Sequence, residues 1–117
     1  MQTCAIIETD DESEKTLRKY LWHISFLEVV WACKSIDEAI DLAKKNRVDL
    51  LFLSLPDFTT DSFNKNFHDL ITHCHTIIII SSIPKELLSI DAPVLAYLRK
   101  PLVFDKFIKA IEFFTSK

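Results

Sequence analysis

The feature that most constrains this chain is a regular alternation of two apolar patterns. Short, strand-sized runs, the clearest being the four isoleucines at 77–80, alternate with longer stretches whose apolar residues recur at helical spacing. Residues 3–7, 26–33, 48–53, 76–80 and 94–98 read as strands. Between the first two, residues 12–23 read as a helix, with Leu17, Leu21 and Ile24 at helical spacing and Asp10 and Asp11 suited to its positive end. Ser35-Ile36-Asp37-Glu38 is a capping box that opens a second helix with Ile36, Ala39, Ile40 and Ala43 on one face. Pro56 and Asp57 mark a turn, after which Thr60 or Asp61 caps a helix carrying Phe63, Phe67, Leu70 and Ile71. Pro84 suits the first turn of a short helix ending near Ser89. A last helix over 104–115 carries Phe104, Phe107, Ile108, Ile111 and Phe114 as its buried stripe.

Five strands alternating with five helices predict right-handed βαβ units and a parallel sheet. The strands around Ile6, Leu51 and Ile78 are apolar on both faces, as central parallel strands are. Those around Glu28 and Tyr97 are mixed, as edges are. The pattern fits a doubly wound α/β sheet of order 2-1-3-4-5, in which chemistry sits beyond the carboxyl ends of the strands. The residues placed there are Glu8-Thr9-Asp10, Ser54 to Asp57, Ser81-Ser82 and Arg99-Lys100-Pro101.

Composition removes several alternatives. The 117 residues suffice for one domain, 1–117, and are too few for two. A net charge of −3 argues against nucleic-acid binding by this domain and against attraction to acidic membranes. No apolar run approaches the ~20 residues of a membrane span, and the N-terminus does not resemble a signal peptide, so a cytoplasmic location is expected. Three widely spaced cysteines without a CxxC pair are read as reduced, buried thiols. Glycine is absent, which excludes Gly-rich phosphate cradles. Left-handed turns would then fall to Asn or Asp, and Asn46 is the expected C-cap of the second helix.

The strand-end positions carry a resemblance. Lys100-Pro101 after the fifth strand, with Tyr97 three residues before the lysine, resembles the receiver domain of two-component response regulators, across essentially the whole chain. The stretch from Tyr20 to Val30, Asp49-Leu50-Leu51-Phe52-Leu53 and Tyr97-Leu98-Arg99-Lys100-Pro101 are most similar to receivers that precede LytTR-type DNA-binding domains. The resemblance implies a flavodoxin-like fold and a role in phosphorelay signalling. In such receivers an aspartate ends the third strand and accepts a phosphoryl group, two acids after the first strand help hold Mg²⁺, and a Ser or Thr and a Lys contact the phosphoryl oxygens. The physical need is to neutralise two anions that must meet.

Matched onto that pattern, the acceptor position is Ser54 and the acid pair is Glu8-Thr9, so two carboxylates are missing, while Ser81, Tyr97 and Lys100 remain. A hydroxyl without an adjacent base is a poor nucleophile. Pro56 stands where a backbone carbonyl reaches the metal, and its fixed φ alters the loop. The resemblance therefore implies a degenerate receiver, or pseudo-receiver: not an enzyme, with weak or absent Mg²⁺ binding. It would act as a phosphorylation-independent interaction or dimerisation module that controls a DNA-binding output domain. A rival register takes Asp10-Asp11-Glu12 as the acid run, and the alternative function is a working phospho-receiver that uses Asp57 or the Asp10 cluster. A small flavodoxin-like enzyme or ligand binder is disfavoured by the absence of glycine and of a His–nucleophile pair at the strand ends.

Several residues carry paired readings. Lys100 is either a relic that couples site to surface or a buried ammonium paired with Glu8 or Asp10. Ser81 and Tyr97 are a switch-like pair by resemblance, or a static hydroxyl and an edge aromatic. Tyr97 and Phe113 mark the expected interaction face, formed by the fourth helix, fifth strand and fifth helix, for a protein partner or a homodimer. Lys100-Pro101 is a candidate cis peptide by resemblance. His73-Cys74-His75 with His68 has metal-ligand chemistry but falls at the far end of the sheet, and reads as a solvated loop with the cysteine inward.

Overall fold

Strand β1 (Gln2–Ile7) is an interior strand of a parallel sheet, followed by α1 (Asp11–Leu21), β2 (Leu27–Cys33), α2 (Ile36–Lys45), β3 (Leu50–Ser54), α3 (Asp61–Ile71), β4 (Ile77–Ser81), β5 (Ala96–Arg99) and α4 (Phe104–Thr115). The structure, a computed structural model, describes residues 1–55, 61–74, 76–84 and 94–116. The five strands pair in the order β2-β1-β3-β4-β5, with every pairing parallel, as the alternation predicts. Four helices, not five, stand among the described residues. The short helix expected from Pro84 to Ser89 lies almost wholly outside them.

The central strands are apolar throughout because each face packs its own layer. Ala5, Ile7, Leu51, Leu53, Ile77 and Ile79 point to the side covered by α2 and α3. Cys4, Ile6, Leu50, Phe52, Ile78 and Ile80 point to the side covered by α1 and α4. Alternation along a strand thus feeds two cores at once. Phe107 of α4 is fully buried and stacks on Phe52, with ring centroids 6.0 Å apart. Of the stripe expected on the last helix, Phe107, Ile111 and Phe114 are buried with Ala110, whereas Phe104 is exposed on the outer edge.

Strands end one residue later than the sequence suggests at Ser54, Ser81 and Arg99, because pairing continues through Ser54↔Ile80 and Ser81↔Arg99. Strand β3 starts at Leu50 rather than 48, since the Asp49 carboxylate accepts a hydrogen bond from the Thr3 amide at 2.8 Å beside the first rung. Asn46 does cap α2, but in an extended conformation (φ −135°), with its amide donating to Leu42 O and its carbonyl accepting from the Trp31 indole. No described residue has positive φ, so this glycine-free chain closes its helices without left-handed turns. Cys4, Cys33 and Cys74 are free and buried. Burial pushes their thiols up to about 12, 11 and 11, so they stay protonated and unreactive.

Candidate functional site

The carboxyl ends of β1, β3, β4 and β5 meet at one edge, and the residue after each strand is positioned by the sheet rather than by its loop. Glu8 follows directly on β1 and is held by its amide, which donates to Cys33 O at 3.1 Å. Its side chain turns inward and is only 2% exposed. Lys100 follows β5, its amide donating to Ser81 O at 2.9 Å. The Lys100 ammonium spans both carboxylate oxygens of Glu8, at 3.0 Å from Oε1 and 3.1 Å from Oε2. The Asp10 amide donates to Glu8 Oε2 at 3.3 Å. A carboxylate this deep needs such a set of donors, because a lone buried anion is strongly disfavoured. The Lys100-Pro101 peptide is cis.

Asp10 belongs to the adjacent helix instead. It is the N-cap of α1, its carboxylate accepting from the Ser13 hydroxyl at 2.7 Å and the Ser13 amide at 3.1 Å. Of the two partners considered for Lys100, the structure therefore pairs it with Glu8. Thr9 is exposed, and Asp11 turns away to an ion pair with Lys34. Ser54 ends β3 half-buried, and Ser81 ends β4 with its hydroxyl accepting from the Ile83 amide at 3.0 Å and only 3% exposed. Asp57 and His75 lie outside the described residues.

Hydrogen bonds from Ser13 hold the Asp10 carboxyl below the usual carboxylate range. A depressed folded value means that the stabilisation is present above the ordinary carboxylate range and is lost as pH falls through the folded value. Asp10→Asn keeps an acceptor at the cap but loses the charge. The wild-type protein is therefore expected to melt above Asp10→Asn at neutral pH, with the gap closing in acid, as thermal melts at a series of pH values would show.

A hard divalent cation makes specific demands of such an edge. Such ions are held by converging carboxylates with waters. Among the described residues Glu8 already faces an ammonium, the Asp10 carboxylate is engaged by Ser13, and Ser54 contributes no charge. Among the described residues no three His, Cys, Asp or Glu side chains stand close enough to hold a metal, the His68, His73 and Cys74 region included.

Two features were not anticipated from the sequence. The Tyr20 hydroxyl donates to Leu102 O at 3.1 Å, tying α1 to the loop after Lys100-Pro101. Beside it, α1 and this loop enclose an open cleft of about 680 Å³ lined by Ser13, Thr16, Tyr20, Lys100 and Leu102 among others. The available signal was the spacing of Ser13, Thr16 and Tyr20 along one side of α1. Tyr97 is half-buried against the core on the α2–α3 side, while Phe113 is 59% exposed on α4, which covers the other side. The two residues therefore stand on either side of the β5 edge.

No family model matches the sequence, and no curated protein matches it. Solved structures do match in three dimensions. The response regulatory domain of MrkE from Klebsiella pneumoniae superposes with a TM-score of 0.75 at 19% identity, covering 97% of this chain and 95% of that one. The signal receiver domain of a modulated diguanylate cyclase from Desulfovibrio desulfuricans gives 0.74 at 22% identity, covering 96% and 91%. RcsB from Salmonella enterica, solved on promoter DNA with a phosphomimetic, gives 0.78 at 15% identity, covering 99% of this chain and 62% of that one. At these identities the likeness speaks for architecture, and the architecture is plain: this chain has the five-stranded α/β fold of response-regulator receiver domains.

Proposed function

We propose that this chain is a receiver-like regulatory module of the two-component type that works without accepting a phosphoryl group. The observation that carries the reading is the strand-end chemistry. Ser54 stands at the end of β3, and the carboxylate that would draw a cation, Glu8, is neutralised by Lys100. Phosphoryl transfer needs an activated nucleophile and positive charge free to meet the incoming group. Both requirements fail at this edge. The module then acts by its surface, as a non-enzymatic cytoplasmic partner domain. Its interaction face is formed by β5 and α4 with Tyr97 and Phe113, and LytTR-type similarity points to a DNA-binding output under its control.

Acetyl phosphate with Mg²⁺ tests this directly. Intact-mass spectrometry should show no phosphoryl adduct. An adduct that survives Ser54→Ala and disappears in Asp57→Asn would replace this reading with a receiver that uses a displaced acid.

A further inference from the structure

Helix α1 carries a surface that its own fold does not use. Leu17 and Leu21 face the core, and Glu14 is tied to Arg18 at 2.9 Å and to Lys34 at 3.0 Å, with Lys34 also bridging to Asp11. The opposite side presents Glu12, Lys15, Lys19 and, at the C-cap, Trp22. Trp22 is 87% exposed, the largest exposure of any big apolar side chain described. It also walls a groove of about 490 Å³ lined by Arg18, Leu21, Ile24, Ser25, Leu27 and Val29, a partly apolar surface that continues from the helix onto β2. An exposed indole beside a partly apolar groove is an interface feature rather than a scattered surface residue.

The charges on this side indicate what covers it. Glu12 and Lys19 make no ion pair among the described residues, in contrast to Asp11, Glu14 and Arg18. They lie seven positions apart, ~10.5 Å along the axis, so they share one side of the helix at opposite ends. Acidic residues occupy the first turn and basic residues the last. A helix with this polarity is complementary to itself when turned end for end.

We infer that α1 is a self-association surface for a second copy of this chain, packed antiparallel about a twofold axis near Thr16. Glu12 of each copy then meets Lys19 of the other, and each Trp22 covers the first turn of the opposing α1. An isologous contact of this kind closes on itself and ends at a dimer. It leaves the β5–α4 side open for a different partner, and so goes beyond the proposed function rather than resting on it.

Sedimentation equilibrium and tryptophan emission on the full chain test the inference. The wild-type chain is expected to dimerise with rising concentration, and its emission to shift blue as it does. Trp31, the other tryptophan, is buried in the fold, so the shift reports Trp22. Glu12→Lys and Lys19→Glu each bring like charges together at two symmetric points and should weaken the dimer about ten-fold or more. The two substitutions combined in one chain restore opposite charges and should restore dimerisation, as should mixing the two single variants. Circular dichroism confirms that each variant is folded. Three outcomes overturn the inference: a wild-type chain that stays monomeric, a dimer indifferent to both reversals, or a dimer lost in Phe113→Ala but retained in the charge variants. None of them bears on whether the strand-end site accepts a phosphoryl group.

Discussion

Lys100→Met is expected to destabilise the domain by about 2–4 kcal/mol at neutral pH, and adding Glu8→Gln in the same chain is expected to return most of that loss. The two residues are unequal partners. Glu8 is 2% exposed while the Lys100 side chain keeps 22% of its surface in water. Removing the lysine therefore strands an anion in the interior, where the one donor left among the described residues is the Asp10 amide at 3.3 Å. Removing the glutamate strands a cation that can still reach solvent. Glu8→Gln alone should accordingly cost less, about 1–2 kcal/mol, for the lost charge-assisted contacts. The double variant has no buried charge left, and glutamine still offers an oxygen to the Asp10 amide. Urea unfolding of the four proteins gives the coupling energy. If the double variant lost the sum of the two single losses, the pair would not be acting as a unit.

The second large effect concerns α4. Phe107→Ala is expected to cost about 3–5 kcal/mol, by loss of transfer energy and by the cavity left behind. The ring is fully buried and sits among Phe52, Tyr20 and Phe104, at centroid distances of 6.0, 5.6 and 6.3 Å. It joins α1, α4 and β3 at one point, so its loss loosens that entire side of the sheet. Phe113 stands less than two turns further along the same helix but is 59% exposed, and Phe113→Ala should stay within about 0.5 kcal/mol. Against a total stability of about 5–15 kcal/mol for such a domain, the first change approaches unfolding and the second is silent. Comparable losses in the two variants would show that the packing of α4 has been misread.

What was legible in the sequence, and what was not, follows the range of the interactions involved. The sheet order was readable because strands buried on both faces must be apolar throughout, which marks those around Ile6, Leu51 and Ile78 as central. The cap at Ser35 was readable because it is a local hydrogen bond: the Ser35 side chain accepts from the Glu38 amide, while the Glu38 carboxylate reaches one residue further back, to the Lys34 amide. Strand ends were misjudged by a residue because Ser54 and Ser81 are held by their neighbours in the sheet, not by their own propensity. The partner of Lys100 stayed open between Glu8 and Asp10 because the contact joins residues 92 positions apart. Only the fold reveals that Asp10 is taken by Ser13. Asn46 was placed as a cap correctly, but the absence of glycine suggested a left-handed residue where the chain uses an extended one. Tyr97 and Phe113 stand on either side of the β5 edge, and the short helix expected to join them in one face lies almost wholly outside the described residues.

The central claim is that the strand-end site no longer takes a cation and a phosphoryl group together. Titrating the chain with Mg²⁺ and beryllofluoride while following backbone amide NMR shifts tests it most directly, because beryllofluoride mimics a phosphoryl group on an acceptor carboxylate. The amides of Glu8, Ser54, Ser81 and Lys100 are expected to stay where they are throughout the titration. Saturable shifts centred on those residues would contradict the claim.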